Sequence, residues 1–202
     1  MVMTALLSNF RNTIIVSVVL ALIMVAGYYV HRTSDGAFYE AVFRWMHVFF
    51  GILWIGLLYY FNFVQIRVMP NIPAELKPAV SKYIAPEALF WFRWAALATW
   101  VMGVILAISR GYLHQAATLG LMERPMNLQH SFIGVGMWLA TIMFINVWGV
   151  IWPNQKIALG IKEADADAKA KAAKMAMLFS RINTLLSIPM LVTMTMNQTM
   201  FG

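Results

Sequence analysis

Five blocks of this sequence, 13–30, 41–64, 88–108, 128–152 and 177–196, are long and apolar enough to each cross a bilayer as a helix. A helix rises about 1.5 Å per residue, so about 20 apolar residues span the roughly 30 Å of hydrocarbon. The expected fold is all-α, a single membrane domain over residues 1–202 built as a bundle of five transmembrane helices. Composition agrees: 61% of the chain is hydrophobic and 11% is charged, where a soluble domain carries about a quarter charged residues. The first block has no basic region ahead of Arg11 and no small-residue cleavage site behind it, so it reads as a retained helix rather than a signal peptide.

The basic residues alternate between loops. One side carries Arg11, Arg67, Lys77, Lys82, Lys156, Lys162, Lys169, Lys171 and Lys174; the other carries Arg32, Arg44, Arg110 and Arg124. The positive-inside rule puts the richer side in the cytoplasm, with the N-terminus inside and the C-terminus outside. Arg93 and Arg181 then sit just within the cytoplasmic ends of the third and fifth spans, where they can snorkel. The same rule accounts for most of the net charge of +7, so nucleic acid is not an expected partner and the lipid bilayer is. These spans and charges describe a multi-pass membrane protein.

Between the spans, 157–176 is a polar stretch rich in Ala and Lys, expected as a solvated cytoplasmic helix supported by the pairs Asp165/Lys169 and Asp167/Lys171. Residues 69–86 hold Pro70, Pro73, Pro78 and Pro86 and read as an irregular surface loop. The aromatic run Trp91, Phe92 and Trp94 around Arg93 reads as an interfacial belt. Intramembrane Asn62, Asn146, Arg181, Asn183 and Thr184 are expected to hydrogen-bond between helices.

The second and fourth spans echo each other. A shift of 83 positions lays His47 on His130, Gly51 on Gly134 and Pro70-Asn71 on Pro153-Asn154. Proline at both inner ends is expected to stop each helix in the same way. From His to Pro is 23 residues in both, about 35 Å of helix, which puts both histidines near the outer edge of the apolar slab.

The absence of cysteine excludes disulfides, thiolate metal sites and covalent c-type haem attachment within these residues. A metal or haem must be held by His, Met or oxygen. An ionisable group inside a span points to function, and His47 and His130 are such groups. Gly51 and Gly134 lie one turn further along on the same faces, leaving room for a flat macrocycle, and Arg44 lies one turn above His47, where a propionate could emerge. This is the pattern that bis-histidine ligation of haem b in a bundle requires. Two other readings stay open: histidines and glycines that merely pack and hydrogen-bond, and a copper or zinc site that also draws on His31 and His114.

Three segments carry a family likeness: residues 44–47 (Arg-Trp-Met-His) leading into 51–65, residues 146–156 (Asn-Val-Trp-Gly-Val-Ile-Trp-Pro-Asn-Gln-Lys), and residues 180–189 (Ser-Arg-Ile-Asn-Thr-Leu-Leu-Ser-Ile-Pro). Together they resemble the N-terminal membrane domain of the bacterial urate hydroxylase (membrane urate oxidase) family. A looser similarity through His47, Trp54 and Gly56 extends to four-helix membrane protoporphyrinogen oxidases, a group associated with haem b, and to copper-resistance D-type proteins. The resemblance implies a membrane module of a redox system passing electrons toward a respiratory chain. Urate-oxidising members add a C-terminal cytochrome c domain, which these 202 residues do not include. The family also ends its fifth helix in an Asn-His motif, where this chain has Asn197-Gln198.

The expectation is a membrane-embedded subunit of an electron-transfer complex that binds haem b near the outer face. It would be an oxidoreductase component rather than a stand-alone enzyme, with other membrane subunits as partners. The alternatives are a cofactor-free structural subunit, a urate-hydroxylase-like oxidoreductase using an external cytochrome c, and a copper-handling membrane protein. No catalytic residue is legible. The topology is directly testable: reporter fusions after Lys82, after Arg124 and at the C-terminus should report inside, outside and outside, and a cytoplasmic C-terminus would overturn the orientation.

Overall fold

The computed structural model of the chain describes residues 2–32 and 34–201. Among them every regular element is helical, and five helices are long and apolar enough to cross a membrane. The chain is a multi-pass membrane protein by this measure. It divides into two compact units, residues 1–43 and 44–202.

The first unit holds α1 (Val2–Leu7), α2 (Phe10–Val30) and the opening of the next helix. Asn9 caps α2 by accepting the Asn12 N–H at 3.3 Å, which supplies one of the donors a helix start leaves unpaired. No residue of α2 is buried. At its far end Arg32 donates to Asp35 and lies 3.8 Å over the ring of Tyr29.

The second unit is built from four long helical rods: α3 (Asp35–Asn71, which begins in the first unit), α4 (Lys77–Ser109), α6 (Leu128–Ala158) and α7 (Ala166–Phe201), with the short α5 (Leu113–Ala117) between α4 and α6. Each rod has more residues than a bilayer crossing needs. Trp54, Leu58 and Phe61 of α3, Phe92 and Ala96 of α4, Met143 and Val147 of α6 and Met190 of α7 form the apolar core. Phe92 is therefore core, while Trp91 and Trp94 on either side of Arg93 stay about half exposed.

Three of the rods contain a π-helical turn, and each turn precedes a proline. Tyr60–Gln65 comes before Pro70, Val80–Ile84 before Pro86, and Asn146–Ile151 before Pro153. A proline has no N–H to donate, and its ring clashes with the carbonyl four residues back. A wider turn just upstream re-spaces the ladder, as in the i−5 bonds from Ile66 to Phe61 and from Trp152 to Val147. This is why Pro153, expected to stop its helix, lies inside α6, which continues to Ala158. For the same reason the proline-rich stretch 69–86 is largely helical from Lys77 onward rather than irregular.

The polar stretch 157–176 is likewise shared between two rods. Its beginning closes α6, and residues 166–176 belong to the same unbroken helix as the fifth span. Asp165 is not paired with Lys169 as expected; its side chain accepts the Ala168 N–H at 2.7 Å and caps α7.

The buried face of α7 reads Ala172, Ala176, Ser180, Asn183, Ser187, Met190 and Thr193, steps of three and four that trace one stripe. Small side chains let backbones approach closely in a membrane, and α7 packs along α6 in this way: Thr193 lies directly over Gly136. Polar contacts fix the register. Asn146 donates to Asn183 at 2.9 Å, and Asn183 donates to the Met143 carbonyl at 2.9 Å. Asn62 donates to Ser180 at 2.8 Å, and Tyr59 and Ser187 share a hydrogen bond of 3.0 Å. The expected interhelical role thus holds for Asn62, Asn146 and Asn183. Thr184 instead donates to its own helix at Ser180.

Asn183 is wholly buried and both partners depend on it. Asn183→Ala should destabilise the unit by about 1–2 kcal/mol, at the upper end for an intramembrane hydrogen bond, read as the loss of thermal stability in detergent. An exposed neighbour variant, Leu185→Ala, should be close to neutral.

Candidate functional site

His47 lies in α3 and reaches into α4, where its Nδ1–H donates to the Thr99 carbonyl at 2.8 Å. In a regular helix that carbonyl serves the N–H of residue 103, and residue 103 is glycine. A Cβ at Gly103 would stand 2.8 Å from Cε1 and 3.0 Å from Nδ1 of His47. The missing side chain is what opens a slot for the imidazole against the α4 backbone. Thr99 turns its own hydroxyl to Ala95 at 2.7 Å, and its methyl lies 3.7 Å from where a Gly51 Cβ would be. That is ordinary contact, so Gly51 sits against α4.

His130 stands in the first turn of α6. Asn127 caps this helix by accepting the N–H groups of Gln129 at 2.9 Å and His130 at 3.4 Å. The Nδ1–H of His130 donates to Glu123 Oε2 at 2.7 Å, and its ring stacks on Tyr112 with centroids 6.2 Å apart. Glu123 is the one carboxylate between Glu87 and Glu163, a signal the sequence did offer. The segment that supplies it is pinned to α6 along its length. Ser131 donates to the Leu119 carbonyl at 2.6 Å, and Trp138 donates to that of Ala117 at 3.0 Å. Gly120, at φ +67°, lies so near Asn127 that a Cβ would come within 2.6 Å of its carbonyl; the positive φ and the close approach both need glycine.

Gly134 belongs to this docking. The Ala116 carbonyl occupies the place a Gly134 Cβ would take, and Ala116 is fully buried. The room expected beside Gly134 for a macrocycle is thus filled by α5. Arg44 also has an occupant: it donates to Gln198 Oε1 in the last turn of α7, where the sequence reading aimed it at a propionate. Next to it Asn197 donates to the Gln129 carbonyl at 3.0 Å, and Phe201 packs on Phe132 at 6.0 Å. The end of α7 therefore ties the His47 helix to the start of the His130 helix.

The donor chemistry of both histidines suits haem iron or another metal. In each, Nδ1–H is held by a fixed acceptor, which sets the tautomer and leaves the Nε2 lone pair as the ligating atom. Gly134 does not suit a porphyrin cradle, because the Ala116 carbonyl takes its open face, while Gly51 meets only the Thr99 methyl at ordinary contact. His31 caps α2, and His114 is exposed in α5. Among the described residues no three His, Cys, Asp or Glu side chains converge as a metal site.

Glycine substitutions separate these environments. Gly134→Ala meets backbone and should destabilise by about 1–3 kcal/mol, the range for overpacking; Gly51→Ala should be nearly neutral. Gly103→Ala should displace the His47 ring. The first two are compared by thermal melting, and the third by the histidine side-chain NMR signals.

Residues 116–201 match a family model described as urate oxidase N-terminal. The match covers α6 and α7 with the end of α5, and so includes His130, Gly134 and the later two of the three familiar segments; His47 and the first segment lie outside it. No curated protein and no solved structure matches the chain. Residues 116–201, with His130 and its docked segment at one end, are therefore similar to the urate oxidase N-terminal family.

Proposed function

We propose that this chain is a membrane-embedded subunit of an electron-transfer complex in a bacterial cytoplasmic membrane, with His47 and His130 as ligands of haem b. The observation that carries the reading is the shared state of the two imidazoles: each Nδ1–H is anchored, at 2.8 Å on Thr99 and 2.7 Å on Glu123, so each Nε2 is free to ligate. With no cysteine in the chain, the haem would be held without covalent attachment. When bound, it would supply a one-electron centre near one membrane face. The protein's own part is to orient the imidazoles, through Gly103 on one side and Tyr112 with Glu123 on the other, and to exclude water from them. Electrons would pass to or from other membrane subunits or an external cytochrome c. The topology inferred from the basic residues puts this end outside.

The cofactor-free subunit is the second reading, favoured by the Ala116 carbonyl that fills the Gly134 face. A reduced-minus-oxidised spectrum with a pyridine haemochrome assay separates the two. The haem reading expects a b-type spectrum from the purified chain, with the Soret band lost or shifted in His47→Ala and His130→Ala while both variants still insert. Absence of any haem absorption from the native protein would overturn it. Gentle detergent extraction should also bring the chain out with other membrane proteins, whereas full redox activity in the lone chain would contradict the subunit role.

A further inference from the structure

At the opposite end of the four rods, a cleft of about 440 Å³ lies between the start of α4 and the end of α6, lined by Lys82, Tyr83, Glu87, Phe90, Arg93 and Trp152 among others. Its charge is one-sided. Arg93 lies 3.9 Å over the Trp152 ring and 5.2 Å from the Phe90 ring, and it has no carboxylate partner among the described residues. Lys156 approaches the same Trp152 ring at 5.8 Å. The single carboxylate in the lining, Glu87, accepts the Trp91 indole N–H at 2.9 Å and so is engaged along its own helix.

Two physical arguments say what this cleft takes. The guanidinium is covered on its face by aromatic rings, and its N–H donors lie in its plane. The edge therefore remains for an anion with several acceptor oxygens, which is phosphate chemistry. A charge within a membrane-spanning helix also needs a partner or a route to the headgroup layer, and Tyr83 and Trp152 in the lining are residue types found at that layer. An apolar groove of about 480 Å³ adjoins the cleft, sharing Tyr83 and Glu87 with it and continuing over Leu57, Ala88 and Trp91. A soluble phosphate compound would have no use for such a groove. An acyl chain would.

We propose that the cleft and groove together form a binding site for one anionic phospholipid, with its phosphate on Arg93 and Lys82 and an acyl chain along Ala88 between α3 and α4. Basic recesses among transmembrane helices recognise acidic lipids by this combination of charge and apolar wall. The site is remote from the histidines, so it stands or falls independently of any haem.

The test is a lipid titration of the purified full chain, followed by native mass spectrometry. Dioleoylphosphatidylglycerol should bind at one molecule per chain and more tightly than dioleoylphosphatidylcholine. Lys82→Gln and Arg93→Gln should each weaken the phosphatidylglycerol by about fivefold, the value of one basic residue near an anionic headgroup, and leave the phosphatidylcholine unchanged. Arg93→Lys should keep most of the preference. Ala88→Trp, which fills the groove without touching a charge, should weaken binding as well. Lys82 is exposed, so its variant reports even if replacing Arg93 prevents folding. Equal binding of the two lipids, or charge variants indistinguishable from the native chain, would overturn the proposal. Displacement of the lipid by millimolar inorganic phosphate would overturn it too, in favour of a soluble anion.

Discussion

In hydrocarbon a polar group that loses its partner finds no water to replace it, and this governs where the chain places the side chains that fasten one rod to the next. Most of the answering groups are helix carbonyls. Thr99 answers His47, Met143 answers Asn183, Ala117 answers Trp138 and Gln129 answers Asn197. A carbonyl already inside a helix ladder can accept a second bond only where the neighbouring backbone is laid open. Gly103 does this beneath His47, and the small residues of α7 do it along α6. Individually such bonds contribute well under about 2 kcal/mol. Their larger effect is to exclude other rotations of one rod against the next.

The π turns extend the same logic. Each re-spaces a ladder ahead of a proline, and two of them carry the asparagine that meets α7: Asn62 in Tyr60–Gln65 and Asn146 in Asn146–Ile151. The echo aligns histidine, glycine and proline at a shift of 83, while these two amides are 84 apart, one residue out of step. Both rods carry a π turn, but it begins two residues ahead of Asn62 in one and at Asn146 itself in the other, and each presents its amide to α7, Asn62 to Ser180 and Asn146 to Asn183. Proline and amide thus act together. One disturbs the ladder, and the other uses the widened turn to fasten a neighbouring helix.

The spans were legible because hydropathy over about 20 residues is a local property. So was the interhelical use of Asn62, Asn146 and Asn183, since an amide in hydrocarbon has few other options. The glycines were misread, because sequence shows that a side chain is missing but not what fills its place. Gly51 and Gly134 lie one turn below a histidine; the Ala116 carbonyl fills the place beside Gly134, while Gly51 lies at ordinary contact distance from Thr99. The glycine that shapes a histidine's surroundings is Gly103, 56 residues from His47 in sequence and on another helix. Prolines 78, 86 and 153 misled in a similar way. Pro78 sits in the first turn of α4, where a missing N–H does least harm; Pro86 and Pro153 follow a π turn inside their rods, and only the backbone geometry reveals these positions.

The two histidines that the repeat makes equivalent are chemically unequal. His47 donates to a peptide carbonyl, with glycine beneath its ring and no ionisable partner among the described residues. His130 donates to a carboxylate and stacks on a tyrosine, both supplied by the segment joining α4 to α6. A carboxylate acceptor makes an imidazole a stronger electron donor than a peptide carbonyl does, so Nε2 of His130 is the more basic of the two and would be the stronger donor to any metal. Their supports differ as well. The His47 slot is built into the α4 backbone, whereas Glu123 comes from the segment after α5, which docks on α6 through Ala116, Ala117 and Leu119. Loosening α5 would therefore alter His130 first and leave the His47 slot in place, so the docked segment between α4 and α6 is the part of this end through which the two imidazoles can be set apart.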